Sequence, residues 1–245
     1  TASSSAVRGR RVRSSSASLP GPVLEELHAL FDVPVIESYG MTEASHQMTC
    51  NPLPPAAAKP GSVGIAAGIE VAILDAMNNV LPPGSRGEVA IKGPNVMQGY
   101  WGDEARTREA IRDGWMHTGD LATIDAEGYC NIVGRVKDML IRGGENVYPR
   151  EVEEFLFRHP KVAQVQVFGV PDAKWGETVK ALVVPVPGAD VDEAALVAHC
   201  REHLAHFKRP TSVEMRDALP RTATGKLQKF KLRASSSEGR ERQVN

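Results

Sequence analysis

The sequence predicts a mixed fold in two parts, an α/β portion followed by an α+β portion. Three observations predict it. Before Asp120, stretches with helical periodicity alternate with short apolar runs bounded by Pro and Gly. After Asp120 the pattern becomes rich in β-branched residues, with hairpin-like punctuation. From Asp138 onward, helix, strand, strand and helix patterns succeed one another at the spacing of a compact α+β unit.

Val23 to Leu30 follows Pro22 and repeats apolar residues at Val23, Leu27 and Leu30, which predicts an amphipathic helix. Val33 to Ile36 is a short strand-like run, so the following Tyr39-Gly40-Met41-Thr42-Glu43 is expected on the loop after it. Asn51 to Gly64 clusters Pro and Gly and is expected to connect. Val71–Leu74 and Glu88–Lys92 are predicted strands, and Asp103–Ile111 a short helix. Leu121–Ile124 and Tyr129–Val133 flank the turn Asp125-Ala126-Glu127-Gly128. Beyond Asp138, helices are expected at Pro149–His159 and Asp192–His203, with strands at Val162–Val170 and Thr178–Val186.

Composition excludes several function classes. The chain has 245 residues, 42% of them hydrophobic and 24% charged, which fits an ordinary soluble globular protein. A formal net charge of -1 gives no electrostatic reason to expect nucleic acid or an anionic membrane as partner. No apolar run approaches the roughly 20 residues that span a bilayer. The three cysteines, Cys50, Cys130 and Cys200, form neither a zinc spacing nor a disulfide framework, and Cys130 is expected to be buried and reduced. Residues 1–24 lack acids and carry Arg8, Arg10, Arg11 and Arg13, as organelle transit peptides do. An irregular start over residues 1–12 is expected rather than a targeting signal, and the protein is expected in the cytoplasm. The final Gln243-Val244-Asn245 is not a peroxisomal address.

Four segments carry the chemistry: Tyr39-Gly40-Met41-Thr42-Glu43, Thr118-Gly119-Asp120, Gly134-Arg135, and Leu219-Pro220-Arg221-Thr222-Ala223-Thr224-Gly225-Lys226. Each alone is weak: the first could be a strand-end loop with an aromatic plug, the second an ordinary turn. In this order the chain resembles the acyl-adenylate-forming (AMP-binding) ligases, which activate a carboxylic acid with ATP and pass it to a thiol, usually coenzyme A. The resemblance implies the C-terminal part of the large adenylate-forming domain, including a β-barrel-like segment, then a small mobile α+β domain. The expected division is an irregular segment 1–12, large-domain residues 13–134, a hinge at 135–137, the small domain 138–234 and a disordered tail 235–245.

The resemblance also implies roles. Tyr39 and Gly40 line the adenine, Thr42 donates to a phosphate oxygen and Glu43 gives magnesium a carboxylate, the hard oxygen ligand that ion prefers. Asp120 accepts from the ribose hydroxyls, and Arg135 holds the ribose or phosphate. Lys226 reaches the carboxylate and α-phosphate and stabilises charge growing in the transition state. Lys137 is the hinge, and rotation about it brings Arg142-Gly143-Gly144-Glu145 beside the pantetheine of coenzyme A. A surface ion pair for Arg135, a solvated lysine for Lys226 and a plain hairpin turn at Gly143-Gly144 are the structural alternatives.

A narrower resemblance points to the acid. Thr42 to Met48, Asn51-Pro52-Leu53-Pro54 and Lys59 to Gly64 look like the oxalate–CoA ligases of plants and fungi. A small dicarboxylate needs polar donors around its second carboxylate, and Ser16 and His46 are expected to supply them. A coumarate or fatty-acid ligase, a carrier-protein adenylating domain and a luciferase-like oxidase keep the fold and change the substrate or acceptor. The family's Gly/Ser/Thr-rich phosphate loop has no counterpart before Tyr39. The chain is therefore expected to be a truncated ligase, inactive alone, with a non-catalytic nucleotide- or CoA-binding fragment as the alternative. No obligate protein partner is expected.

Overall fold

The computed structural model describes residues 11–15, 19–222, 227–228 and 232. The chain forms two compact units, residues 1–132 and 133–245.

The first unit contains two sheets. In one, β1 (Val12–Ser14) pairs in parallel with β2 (Val35–Met41), which pairs antiparallel with β3 (His46–Cys50), which in turn takes β4 (Ile65–Ala66). Helix α1 (Gly21–Phe31) joins β1 to β2. Pro22 suits its first turn, where no intrahelical N–H bond is required, and Asp32 closes it in the left-handed region, donating its N–H to His28 O. The expected stripe on this helix is covered only in part. Leu24 is the buried residue, whereas Leu30 is 75% exposed and Phe31 50%.

The second sheet orders β5 (Glu70–Leu74), β6 (Arg86–Lys92), β8 (Trp115–Ile124) and β7 (Ile111–Arg112), with β9 (Cys130–Arg135) also paired to β8. Short helix α2 (Glu104–Ala110) precedes β7 and is capped by Asp103, whose carboxylate accepts from Arg106 N at 2.9 Å. Met48, Ile73, Val89, Ile91, Met116, Ala122 and Cys130 form the core of this unit. Cys130 is thus buried, and all three cysteines are free thiols.

In the second unit β10 (Leu140–Arg142) and β11 (Glu145–Val147) make a hairpin, followed by α3 (Pro149–Phe157), β12 (Val162–Asp172), β13 (Gly176–Pro185), α4 (Glu193–His203) and β14 (Ser212–Met215). Long β13 is the central strand: β12 lies antiparallel on one side, and β10 and then parallel β14 on the other. Its side chains alternate as strand geometry demands. Val179, Ala181 and Val183 pack with Val152 and Leu156 of α3 and Leu196 and Cys200 of α4. Leu182 and Val184 join Phe168, Val170 and Leu219 in a separate cluster.

Three expectations need correction. Tyr39-Gly40-Met41 is not on a loop but in β2, because residues 46–50 form a strand that pairs with it. Thr118-Gly119-Asp120 lies within the ten-residue β8 rather than before a strand. The helix expected at Pro149–His159 ends at Phe157.

Candidate active site

Both nucleotide motifs of the first unit sit at irregularities in antiparallel ladders. Between β2 and β3, Tyr39 faces Thr49 but Gly40 faces Gln47, so Met48 is an extra residue. The strands come so close there that a Cβ on Gly40 would stand 1.4 Å from the His46 carbonyl oxygen, and only glycine fits. Thr42–Ala44 then makes one 3-10 turn, reversed by Ser45 (φ 49) and His46 (φ 82). A strap from the second sheet pins this turn. Asn95 Nδ2 donates to Ala44 O (2.8 Å) and Gln47 O (3.3 Å), and Met97 N donates to Glu43 O (2.8 Å).

The second irregularity is in β8. Glu88 of β6 faces Leu121, whereas Ala90 faces His117, so Val89 alone stands opposite Thr118, Gly119 and Asp120. The two extra residues lift the motif out of the ladder. Asp120 is buried, and its Oδ2 accepts from Tyr39 Oη at 2.6 Å, joining motifs 81 positions apart. Burial, reinforced by the adjacent Asp120 carboxylate, raises the Tyr39 pKa far above its ordinary value, so Tyr39 is the donor and Asp120 the acceptor.

Glu43 is half-buried, with Oε1 accepting from Tyr100 Oη at 3.0 Å. Burial first, then the Glu43 contact, raises the Tyr100 pKa, and the Arg106 guanidinium lies 4.2 Å from the Tyr100 ring centroid. Thr42 is exposed beside it. Among the described residues no three His, Cys, Asp or Glu side chains form a metal cage. Magnesium held by one carboxylate, waters and substrate phosphates requires none, and a half-buried carboxylate with one oxygen already fixed fits that mode.

His46 is exposed, with Nδ1 3.3 Å from Arg13 Nη2. Arg13 is itself held by Nε donating to Ser38 Oγ at 2.7 Å. A concavity of about 540 Å³ lies elsewhere, lined by Leu24, Val35, Ile36, Asn51 and Pro52 among others, and includes none of the expected site residues.

In the second unit Arg135 ends β9, and Lys137 lies in the 3-10 turn Val136–Asp138; both are exposed. Arg142 is buried, and its Nη1 donates to Phe207 O (3.1 Å) and Arg209 O (3.0 Å). Gly143 and Gly144 form the exposed turn of the β10–β11 hairpin. Gly143 N donates to Trp175 O at 2.9 Å, and a Cβ on Gly143 would come within 2.7 Å of the Trp175 ring. Ser16 and Lys226 fall outside the described residues.

Sequence reading alone missed the supporting contacts from Asn95, Tyr100, Arg106 and Glu88. Their signal was only Gly93-Pro94-Asn95 before an aromatic at Tyr100, and nothing marks such residues until register is known.

Residues 2–101 match the AMP-binding enzyme family and residues 151–226 the AMP-binding enzyme C-terminal domain. An oxalate–CoA ligase of Arabidopsis thaliana is 45% identical over 221 residues, 90% of this chain and 43% of that protein. A feruloyl-CoA synthase of Amycolatopsis is 46% identical over 199 residues, 81% of this chain and 40% of that protein. The crystal structure of ATP-bound MatB from Rhodopseudomonas palustris superposes with a TM-score of 0.87 at 42% identity, covering 91% of this chain and 44% of that one. The chain thus spans less than half the length of these relatives. Together with the two motifs joined through Tyr39 and Asp120, these matches show that the chain belongs to the AMP-binding enzyme family.

Proposed function

We propose that this chain carries part of the machinery of an ATP-dependent acid–CoA ligase that prefers oxalate. The observation that carries the reading is the Tyr39–Asp120 hydrogen bond at 2.6 Å, which puts an aromatic face and a buried carboxylate side by side. An adenosine needs both: a flat surface for the base and an acceptor for ribose hydroxyls. Glu43 holds magnesium with ATP phosphates, Thr42 donates to a phosphate oxygen, and Gly40 lets the strand approach the nucleotide. Magnesium supplies charge neutralisation while the acid carboxylate displaces pyrophosphate. Arg135 and Lys226 complete the charge clamp, and Lys137 is the hinge between adenylation and thioester formation.

Coenzyme A is taken by the Gly143-Gly144 turn through its backbone. Arg142 acts by holding that loop, since its guanidinium is committed to the carbonyls of Phe207 and Arg209. The preference for a small dicarboxylate rests on His46, which is exposed with the Arg13 guanidinium 3.3 Å away. With Ser16, these groups supply an imidazole, a cation and a hydroxyl for a second carboxylate. A feruloyl or fatty acyl chain needs apolar lining instead.

The test is release of AMP with oxalate, malonate, coumarate and octanoate, by this chain and by a version extended upstream with the phosphate loop of a relative. Turnover in the extended form, greatest with oxalate and lost in Asp120→Ala, is the expected result. Equal turnover with coumarate overturns the acid, and AMP release unaffected by Asp120→Ala overturns the site.

A further inference from the structure

The bulge that lifts Asp120 out of β8 strands a backbone donor. Gly119 faces no ladder partner, because Val89 alone opposes three residues. A backbone N–H without a partner is costly, and here a side chain replaces the ladder: Gly119 N donates to Glu88 Oε1 at 2.9 Å. Two local contacts also hold the bulge, Asp120 N donating to Thr118 Oγ1 (3.1 Å) and Thr118 Oγ1 to Val89 O (2.9 Å).

The other oxygen of Glu88 is fixed as well. Its Oε2 lies 2.9 Å from His117 Nδ1 and 3.6 Å from Arg112 Nη2. Arg112 Nη2 also lies 2.7 Å from His117 Nδ1. His117 is buried, and its Nε2 meets Asn78 Oδ1 at 2.8 Å. The orientation of Asn78 follows from its amide nitrogen, which donates to Asp113 Oδ2 at 2.8 Å, so the imidazole N–H is on Nε2 and Nδ1 accepts from Arg112 Nη2, the same nitrogen that faces Glu88 Oε2. A relay thus runs from the β5–β6 turn through His117, Arg112 and Glu88 to the N–H of Gly119.

We propose that Glu88 is a positioning residue of the nucleotide site, standing in for the missing strand partner of Gly119 and so setting where the Asp120 carboxylate meets Tyr39 and the nucleotide ribose; His117 orients it through Arg112. The inference rests on the reading of Asp120 as the ribose acceptor only for its ligand arm. A charge-assisted hydrogen bond lost at this peptide is enough to change a local opening equilibrium by roughly tenfold or more.

The experiment uses the 245-residue chain with Glu88→Ala, Glu88→Gln, His117→Gln and Asp120→Asn. Amide exchange is read at Gly119, with Ala90 and Leu121 as sheet controls, together with the NMR resonance of the Tyr39 ring. Glu88→Ala is expected to speed exchange at Gly119 about tenfold and to shift the Tyr39 ring signal, with Ala90 and Leu121 unchanged. Glu88→Gln keeps a carbonyl acceptor and is expected to restore protection to within about threefold. His117→Gln leaves the acceptor in place but loosely oriented, and is expected to fall between the two. A folded Glu88→Ala with parental Gly119 exchange and Tyr39 resonance overturns the proposal. Should that variant unfold, parental values in a folded His117→Gln, or unprotected Gly119 in a folded Glu88→Gln, overturn it equally.

The ligand arm compares binding of ATP with that of 2′,3′-dideoxy-ATP. Glu88→Ala is expected to shrink the preference for ATP towards that of Asp120→Asn. Full preference in both variants refutes the ribose reading and leaves the exchange result to decide the role of Glu88. Full preference in Glu88→Ala but not in Asp120→Asn refutes the positioning role itself. If neither nucleotide binds the parent chain, the exchange and Tyr39 readings decide alone.

Discussion

Tyr39 shows how one residue type in a motif acquires a role that its neighbours define. Its hydroxyl is held protonated by burial and by Asp120, with a folded-state pKa above the ordinary value near 10. The stabilising effect of this hydrogen bond is therefore fully present below about pH 10 and is lost as pH rises beyond it, because the unfolded chain ionises first. Chemical denaturation of the first unit between pH 8 and pH 11 should show stability falling at the alkaline end. Tyr39→Phe should remove part of that slope and lower stability by about 1–3 kcal/mol at neutral pH, since a buried carboxylate loses its donor. In the second unit, Arg142→Ala leaves the carbonyls of Phe207 and Arg209 without their donor, and a melt of that unit should show a loss of about 2–3 kcal/mol. Gly143→Ala drives a Cβ towards the Trp175 ring, and a change in tryptophan fluorescence is the expected report. At this scale Tyr39, Glu43 and Asp120 stood out in the sequence through the family resemblance, but Glu88, His117 and Asn95 did not. Those three act only through register, and no sequence pattern announces that Val89 stands opposite three residues.

The elements were legible where period and punctuation agreed. Helix α4 was readable from Asp192, whose carboxylate accepts from Ala195 N at 2.8 Å, and β12 and β13 from their β-branched runs. Strands β3 and β14 were missed because His46–Cys50 and Ser212–Met215 are short and polar, and gain their strand character from the partner they complete. The two bulges escaped for the same reason: an irregularity is a property of a pair of strands. Packing between α3 and α4 yields a prediction of its own. His199 stacks on Phe155 with ring centroids 4.7 Å apart, and His159 and His203 lie 5.0 and 5.1 Å from it. Burial first, then these two imidazoles, lower the His199 pKa, with Glu202 opposing. A base with a depressed folded pKa gives full stability above its unfolded value near 6.5 and loses it as pH falls below that value. The melting temperature of the second unit should therefore drop between pH 7.5 and pH 5.5. His199→Gln should flatten that drop, and an unchanged slope would count against the cluster.

At the scale of the molecule, the two units are unequally closed. Among its described residues, twelve buried side chains of the second, from Leu140 to Val213, share one cluster with its two helices, and its central strand is paired on both sides. The first carries exposed Leu30 and Phe31 on α1, and among the described residues its three-residue β1 pairs only with β2. An unpaired edge and exposed apolar side chains each invite association with other chains. Fold class and the order of the two parts were readable from the succession of periods, but this inequality was not, because it depends on which faces find a cover. Residues 133–245 expressed alone should melt in one cooperative step with the transition they show in the whole chain. Residues 1–132 should melt lower, bind a hydrophobic dye and be degraded first in limited proteolysis, leaving a resistant fragment that begins near Val133. A single shared transition in the whole chain, with no fragment accumulating, would instead mean that the two units stabilise one another. The first unit would then depend on the second for its order rather than on a core of its own.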